Sequence, residues 1–280
     1  MDRGCSLKTI GILFQPKIKA AGDLARQLAT VVEGLGFAVW MCSAWEEEKA
    51  QSLLDGTKFV VCLGGDGTIL RAARIASPLG IPILGVNLGW LGFMTEVGAQ
   101  EALSRVPAFV GGEGWVEERA MLQAHVASSD GAVHHALNDA VVARGARCRL
   151  IRVRTTVDGQ PLTTYKCDGI IVATATGSTG YSLAAGGPIL HPHAEEMLIK
   201  PIAPHLGTPT AFVLPSDSVV ELEVHTTHEA TLSIDGQVEV PLKDGDVVQA
   251  KRSPYVTRLI RSEWPGSFYG TLMQKLARSE

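Results

Sequence analysis

The 280-residue chain has no block of lysine or arginine: 25 basic side chains stand against 29 acidic ones, for a net charge of −4. A slightly acidic chain without a basic patch lacks the footprint that nucleic acid or anionic lipid requires. Cysteine is sparse. The five, at positions 5, 42, 62, 148 and 167, are odd in number and form no CxxC pair. That pattern speaks against a disulfide framework or a zinc site and for reduced thiols in a cytoplasmic protein. Long apolar runs are missing too. Two stretches free of Asp, Glu, Lys and Arg, 75–94 and 169–190, are broken by prolines and by four and five glycines respectively. A membrane-spanning helix needs about 20 mostly apolar residues and tolerates such interruptions poorly. The opening MDRGCSLKTI lacks the apolar core of a signal peptide. Absent as well are GxxxxGK[ST], GxGxxG and HExxH, and Gly177-Ser178-Thr179-Gly180 lacks the spacing of a GxSxG nucleophile elbow. There is no low-complexity tract and no internal repeat.

What is present is an ordinary globular balance, 46% apolar and 19% charged, in a length that fits one large domain or two modest ones. Glycine is in excess, with 30 residues, which suggests backbone brought close to a ligand. The first hundred residues alternate between two periodicities. KTIGILF (8–14), FAVWMC (37–42), KFVVCLG (58–64) and IPILGVN (81–87) read as strands. GDLARQLATVVEGLG (22–36), a short acidic helix over 45–54, TILRAARIA (68–76) and AQEALSRVPAFV read as helices. Continuous apolar strands separated by helices predict an α/β domain, with a parallel sheet covered on both faces, over residues 1–112. Beyond Trp115 the pattern becomes alternating and β-branched, with Asp-Gly turn chemistry in VDGQ and IDGQ. An all-β domain over 113–265 is expected, and a helical tail over 266–280 that returns to the first domain.

Gly64-Gly65-Asp66-Gly67-Thr68 falls between a buried strand and a helix. The carboxyl end of a parallel strand is where open α/β sheets place ligands. A helix N-terminus there favours phosphate, and the glycines let backbone approach it. A structural turn would also choose Asp-Gly. Against that reading, a lone acid would repel phosphate unless it met a metal or took a proton from a substrate hydroxyl. A second cluster, Asp168-Gly169 followed by IIVATATGSTGYSLAAGGPILHP, delivers a strand into hydroxyls and glycines that can bind a polar ligand without charge. Tyr181 offers a stacking face. An ordinary Ser/Thr/Gly loop has the same composition, and Asn138-Asp139 is equally explained by a hairpin turn.

Taken together and in order, GGDGT (64–68), GVNLGWLGF (85–93), LNDAVV (137–142), the segment 168–192 and SIDGQ (233–237) closely resemble the NAD kinases. The GGDGT loop alone is shared with lipid kinases and, loosely, phosphofructokinases; the five segments jointly are specific. The resemblance implies an N-terminal α/β domain, a C-terminal β domain and a site between them. It makes Asp66 the catalytic aspartate that faces the 2′-hydroxyl of the adenosine ribose of NAD+. It places Gly67, Arg71 and Phe93 beside nucleotide, with Arg71 as a phosphate contact and Arg149 near another. Asn138 and Asp139 match a substrate-holding Asn-Glu pair, here with the shorter acid. Asp168, Ser178, Thr179, Gly180, Tyr181, Ser182 and Gln237 match ligand-contacting positions, with Gly180 in place of alanine. Lys166 matches a position where a basic residue accompanies selectivity for NAD+ over NADH. The implied donor is ATP, with polyphosphate as the alternative. The implied cofactor is a divalent ion, Mg2+, held by the phosphates and by no metal site of the protein. The implied assembly is a homodimer or homotetramer. Two rival functions keep the same loop: a lipid or sugar kinase, and a non-catalytic NAD(P)-binding sensor. A lipid kinase needs an apolar substrate groove where this chain has hydroxyls, and the retained acid argues against a sensor.

Overall fold

The computed structural model describes residues 8–89, 92–127, 131–146, 149–262 and 268–276. Trp90 and Leu91 of the second quoted segment, with Cys5 and Cys148, lie outside them. The chain divides into two compact units, residues 1–118 with 257–280, and residues 119–256. Both divisions fall inside long strands, where composition places them in loops at 112/113 and 265/266.

In the first unit the elements are β1 (Thr9–Phe14), α1 (Lys19–Gly34), β2 (Ala38–Ser43), α2 (Glu47–Ser52), β3 (Thr57–Gly64), α3 (Asp66–Ala76), β4 (Ile83–Asn87), β5 (Val97–Gly98) and α4 (Ala102–Gly111). Every strand pairing among them is parallel, in the order β2-β1-β3-β4, with β5 beside β4. β1, β3 and β4 are buried because their apolar runs meet helices on both faces, as the uninterrupted hydrophobicity predicts. α1 buries Ala21, Leu24, Ala25, Leu28 and Val32, one stripe at helical spacing, into a core with Ile10, Ile12, Phe59 and Val61.

The second unit is mostly β. Its elements are β6 (Trp115–Val126), β7 (His134–Ala136), β8 (Asp139–Arg144), β9 (Ile151–Val157), β10 (Gln160–Cys167), β11 (Gly169–Ala173), α5 (Tyr181–Ala184), β12 (Met197–Ile202), β13 (Phe212–Leu214), β14 (Val219–His225), β15 (Ala230–Ile234), β16 (Val238–Leu242) and β17 (Val247–Arg261). α6 (Phe268–Leu276) follows. One antiparallel sheet runs β13-β12-β11-β8-β15-β16, and β10-β9-β14-β17 forms another antiparallel run. The unit is β as expected, apart from the glycine- and hydroxyl-rich run, which coils into a 3-10 turn and the four-residue α5. Both Asp-Gly dipeptides form the hairpins their chemistry predicts. Asp158-Gly159 and Asp235-Gly236 all have positive φ, between 51° and 74°, the mirror-image turn that suits twisted strands.

Candidate active site

In the first unit, β3 ends at Gly64 and the chain turns at Gly65 into α3, whose first residue is Asp66. A Cβ on Gly64 would press into the Thr68 side chain, so this glycine is needed for the tight entry. Gly65 and Gly67 are different: nothing stands within 4 Å of where their Cβ atoms would lie. Space for a ligand therefore opens directly over backbone at the positive end of a helix. Asp66 is half-buried and fixed at both oxygens. Oδ2 accepts the Phe93 N–H at 2.8 Å and Oδ1 the Met94 N–H at 3.0 Å. The missing side chain of Gly92 leaves the space that the carboxylate fills. Two backbone donors orient the group and leave further lone pairs for a hydroxyl proton. Further along α3, Arg71 is held by Glu47 of α2 at 3.2 Å, with its guanidinium 4.5 Å over the Trp45 ring. Arg74 binds the same carboxylate.

In the second unit, the strand entering β8 is clamped from two sides. The Asp235 carboxylate accepts the N–H groups of Leu137, Asn138 and Asp139 at 2.9, 2.7 and 3.0 Å. From the other side, Thr174 donates its N–H to Asn138 O at 2.9 Å and its hydroxyl to Leu137 O at 2.6 Å. The same hydroxyl accepts the Gly177 N–H at 3.1 Å, and Gly177 lies against the Asn138 backbone more closely than any side chain permits. Three of the quoted segments thus meet at Asn138. This also corrects the hairpin reading of Asn138-Asp139: β7 pairs with β6, whereas β8 pairs with β11 and β15. Burial, reinforced by the neighbouring Asp235 charge, pushes the Asp139 carboxyl up to about 7.

A Cβ on Gly180 would stand 3.7 Å from the Asn138 amide nitrogen. Ser178 is internally engaged, donating to Ala175 O at 2.6 Å and accepting the Leu190 N–H at 2.9 Å. Thr179 donates its hydroxyl to Thr176 O at 3.1 Å. Tyr181 is 48% exposed, with its face available. Ser182 has a fully buried hydroxyl with no hydrogen-bond partner among the described residues. Asp168 accepts the Arg144 Nε–H at 2.5 Å. Two residues earlier, Lys166 bridges through its backbone to His205 and Leu206. Gln237 follows the Asp235-Gly236 turn, donating its N–H to Ile234 O at 2.9 Å. Arg149 turns to His228, at 3.0 Å. Sequence reasoning missed Asp235, Thr174, Arg144 and Gly92. Gly92, Thr174 and Asp235 lie within the quoted segments, but only Asp235 stands out there, as turn chemistry. Among the described residues, no three His, Cys, Asp or Glu side chains converge as a metal cage.

A carboxylate set between glycines at a strand-to-helix turn can receive phosphate at the helix start and present an acid to a hydroxyl, and the same chain carries a β unit with a hydroxyl-rich loop. The family model described as the ATP-NAD kinase N-terminal domain matches residues 19–113, and that of the ATP-NAD kinase C-terminal domain matches residues 137–262. An NAD kinase of Dehalococcoides mccartyi is 47% identical over 272 residues, 96% of each chain. One from Chloroflexus aurantiacus is 39% identical over 98% of this chain and all of its own. Among solved structures, an NAD kinase from Archaeoglobus fulgidus in complex with ATP is 26% identical, with a TM-score of 0.76 over 96% of this chain and 98% of its own. Yeast NADH kinase complexed with NADH shares the fold at a TM-score of 0.81, covering 97% of this chain and 88% of its own. The chain belongs to the NAD kinase family.

Proposed function

We infer that the chain transfers the γ-phosphoryl group of ATP to the 2′-hydroxyl of the adenosine ribose of NAD+, giving NADP+. The observation that carries this reading is Asp66, oriented by two backbone N–H groups beside glycines that leave open space at a helix start. Phosphoryl transfer runs through a loose transition state, so the protein's work is positioning and charge neutralisation. Asp66 orients the 2′-hydroxyl and accepts its proton as the O–P bond forms. The first turn of α3 and Gly67 receive phosphate, as does Arg71 once released from Glu47. Phe93, on the loop that grips Asp66, borders the nucleotide. Asn138, Asp139, Asp168, Thr179, Gly180, Tyr181 and Gln237 recognise the dinucleotide, the buried Ser182 hydroxyl offers it a further polar group, Ser178 shapes the loop, and Arg149 supplies a peripheral cation. With no carboxylate cage among the described residues, a divalent ion such as Mg2+ fits best as a partner of the triphosphate, where it neutralises charge. The buried thiols of Cys42, Cys62 and Cys167 suit the reducing cytoplasm. No helix among the described residues is long and apolar enough to cross a membrane.

The test is incubation with ATP, Mg2+ and NAD+, reading NADP+ through an NADP-dependent dehydrogenase. Binding of NAD+ without turnover would make the chain a sensor, and phosphorylation of a lipid or sugar in its place would make it another GGDG kinase. Replacing ATP with polyphosphate in the same assay defines the donor range. Self-association follows from strand edges such as β13, with Val213 48% exposed. Sedimentation at micromolar concentration is expected to show a multiple of the 29.8 kDa chain, and a monomer alone would refute it.

Lys166→Gly is expected to lower the preference for NAD+ over NADH. Simple attraction would work the other way, since NAD+ carries the extra positive charge. A long side chain narrowing the nicotinamide pocket disfavours the puckered reduced ring instead. The measurement is kcat/KM for both dinucleotides in both proteins, and an unchanged ratio returns Lys166 to a solvated strand end.

A further inference from the structure

Asp66 is held by a loop, and the loop is held by Arg261. The Arg261 side chain, at the end of β17 in the first unit, is 8% exposed and directs its guanidinium into the segment that follows Gly92. Nη2 donates to Phe93 O at 3.4 Å, and Nη1 reaches Met94 O at 3.1 Å and Thr95 O at 3.4 Å. Its charge is balanced by Glu117, buried to 5% exposure, which accepts Nε–H at 2.7 Å, and by Glu96 at 3.3 Å. Glu96 also accepts the Ser262 N–H at 2.8 Å. Peptide groups of the segment are thus gripped at both ends. Their N–H groups, from Phe93 and Met94, point at Asp66, while carbonyls of the same residues point at Arg261. The Gly92 N–H is fixed separately by the Thr95 hydroxyl at 3.0 Å.

We propose that Arg261 is a positioning residue for the phosphoryl-transfer step, setting the Asp66 carboxylate through the 93–95 backbone. The inference rests on the assignment of Asp66 as the group that meets the substrate hydroxyl. Only a planar fork with five N–H donors can span Glu117, Glu96 and three consecutive carbonyls at once. A carboxylate displaced by about 1 Å from its working geometry costs on the order of 10²-fold in rate. Arg261 itself touches no reacting atom, so its loss falls mainly on kcat, with only a small effect on binding through Phe93.

The deciding variant is Arg261→Lys, which keeps a buried positive charge opposite Glu117 and Glu96 and so keeps the fold, but cannot reach all three carbonyls. Expected are KM values for NAD+ and ATP within about threefold of the parent and kcat down by roughly 10–100-fold, with Arg261→Met lower still. A second readout is hydrogen exchange at the Phe93 and Met94 amides, slow in the parent and faster in the lysine variant. Parental kcat in Arg261→Lys, or a loss confined to KM for NAD+, overturns the proposal, as does unchanged exchange at those amides. A parent protein that makes no NADP+ would sink the functional reading instead, while the exchange data still decide whether Arg261 fixes the loop.

Discussion

Asp66→Asn is expected to bind NAD+ almost normally and to lose turnover by about 10²–10⁴-fold, the usual cost of removing a general base. The substitution preserves shape. It also does something a simple loss of basicity would not. The carboxylate accepts Phe93 N–H on one oxygen and Met94 N–H on the other. An asparagine amide offers one acceptor oxygen, so its NH2 must face one of these two donors. One buried donor is then left without its partner, at a cost of about 1–3 kcal/mol. A lower thermal midpoint is therefore expected alongside the loss of kcat. Steady-state kinetics, calorimetric titration with NAD+ and thermal unfolding on the same preparation separate the effects. A variant that keeps near-parental kcat removes Asp66 from the chemistry. One that loses NAD+ affinity in proportion makes it a binding group.

The same residue shows why part of the site could be read in advance. Gly64 to Thr68 is local: a buried strand, a tight turn and a helix start follow one another, and the physics of phosphate at a helix N-terminus needs nothing from elsewhere in the chain. The parallel arrangement of β1 to β4 was legible for a related reason, since strands buried on both faces carry continuous apolar runs. Asp235 was visible only as the first residue of an Asp-Gly turn. That role is real, with φ at 51°, but its carboxylate reaches back almost a hundred residues to three N–H groups, which no local pattern signals. Arg261 is further out of reach. In TRLIRS it occupies one position of an alternating strand, and its carbonyl partners lie 166 to 168 residues earlier. The division into units is harder to read for a different reason: strands β6 and β17 each run unbroken through it, so no loop marks the change.

The Asp139–Asp235 pair leads to two substitutions of opposite sign. Asp235→Ala strips the acceptor from three N–H groups of a segment in which Leu137 and Asp139 are buried. At about 1–3 kcal/mol for each donor left unpaired, the loss is a large part of the 5–15 kcal/mol that holds a typical domain together. Asn138 is released with it, so KM for NAD+ should rise in whatever fraction remains folded. Asp139→Asn acts the other way on stability. In the folded chain burial and the Asp235 charge raise the Asp139 carboxyl to about 7, against 3.8 for the free side chain. Between those values the unfolded chain has already released this proton while the folded chain keeps it. Folding is therefore most favoured by this group below pH 4, and the advantage is lost as pH rises towards 7. Above that point the folded protein carries an ionised, buried carboxylate opposite a second one, a penalty on the order of a few kcal/mol. Asparagine cannot ionise. The variant should match the parent near pH 4 and exceed it at pH 8, with a flatter slope between, in urea unfolding measured across that range. Parallel curves for the two proteins would mean that Asp139 is already ionised in the fold at low pH and that the Asp235 charge does not reach it.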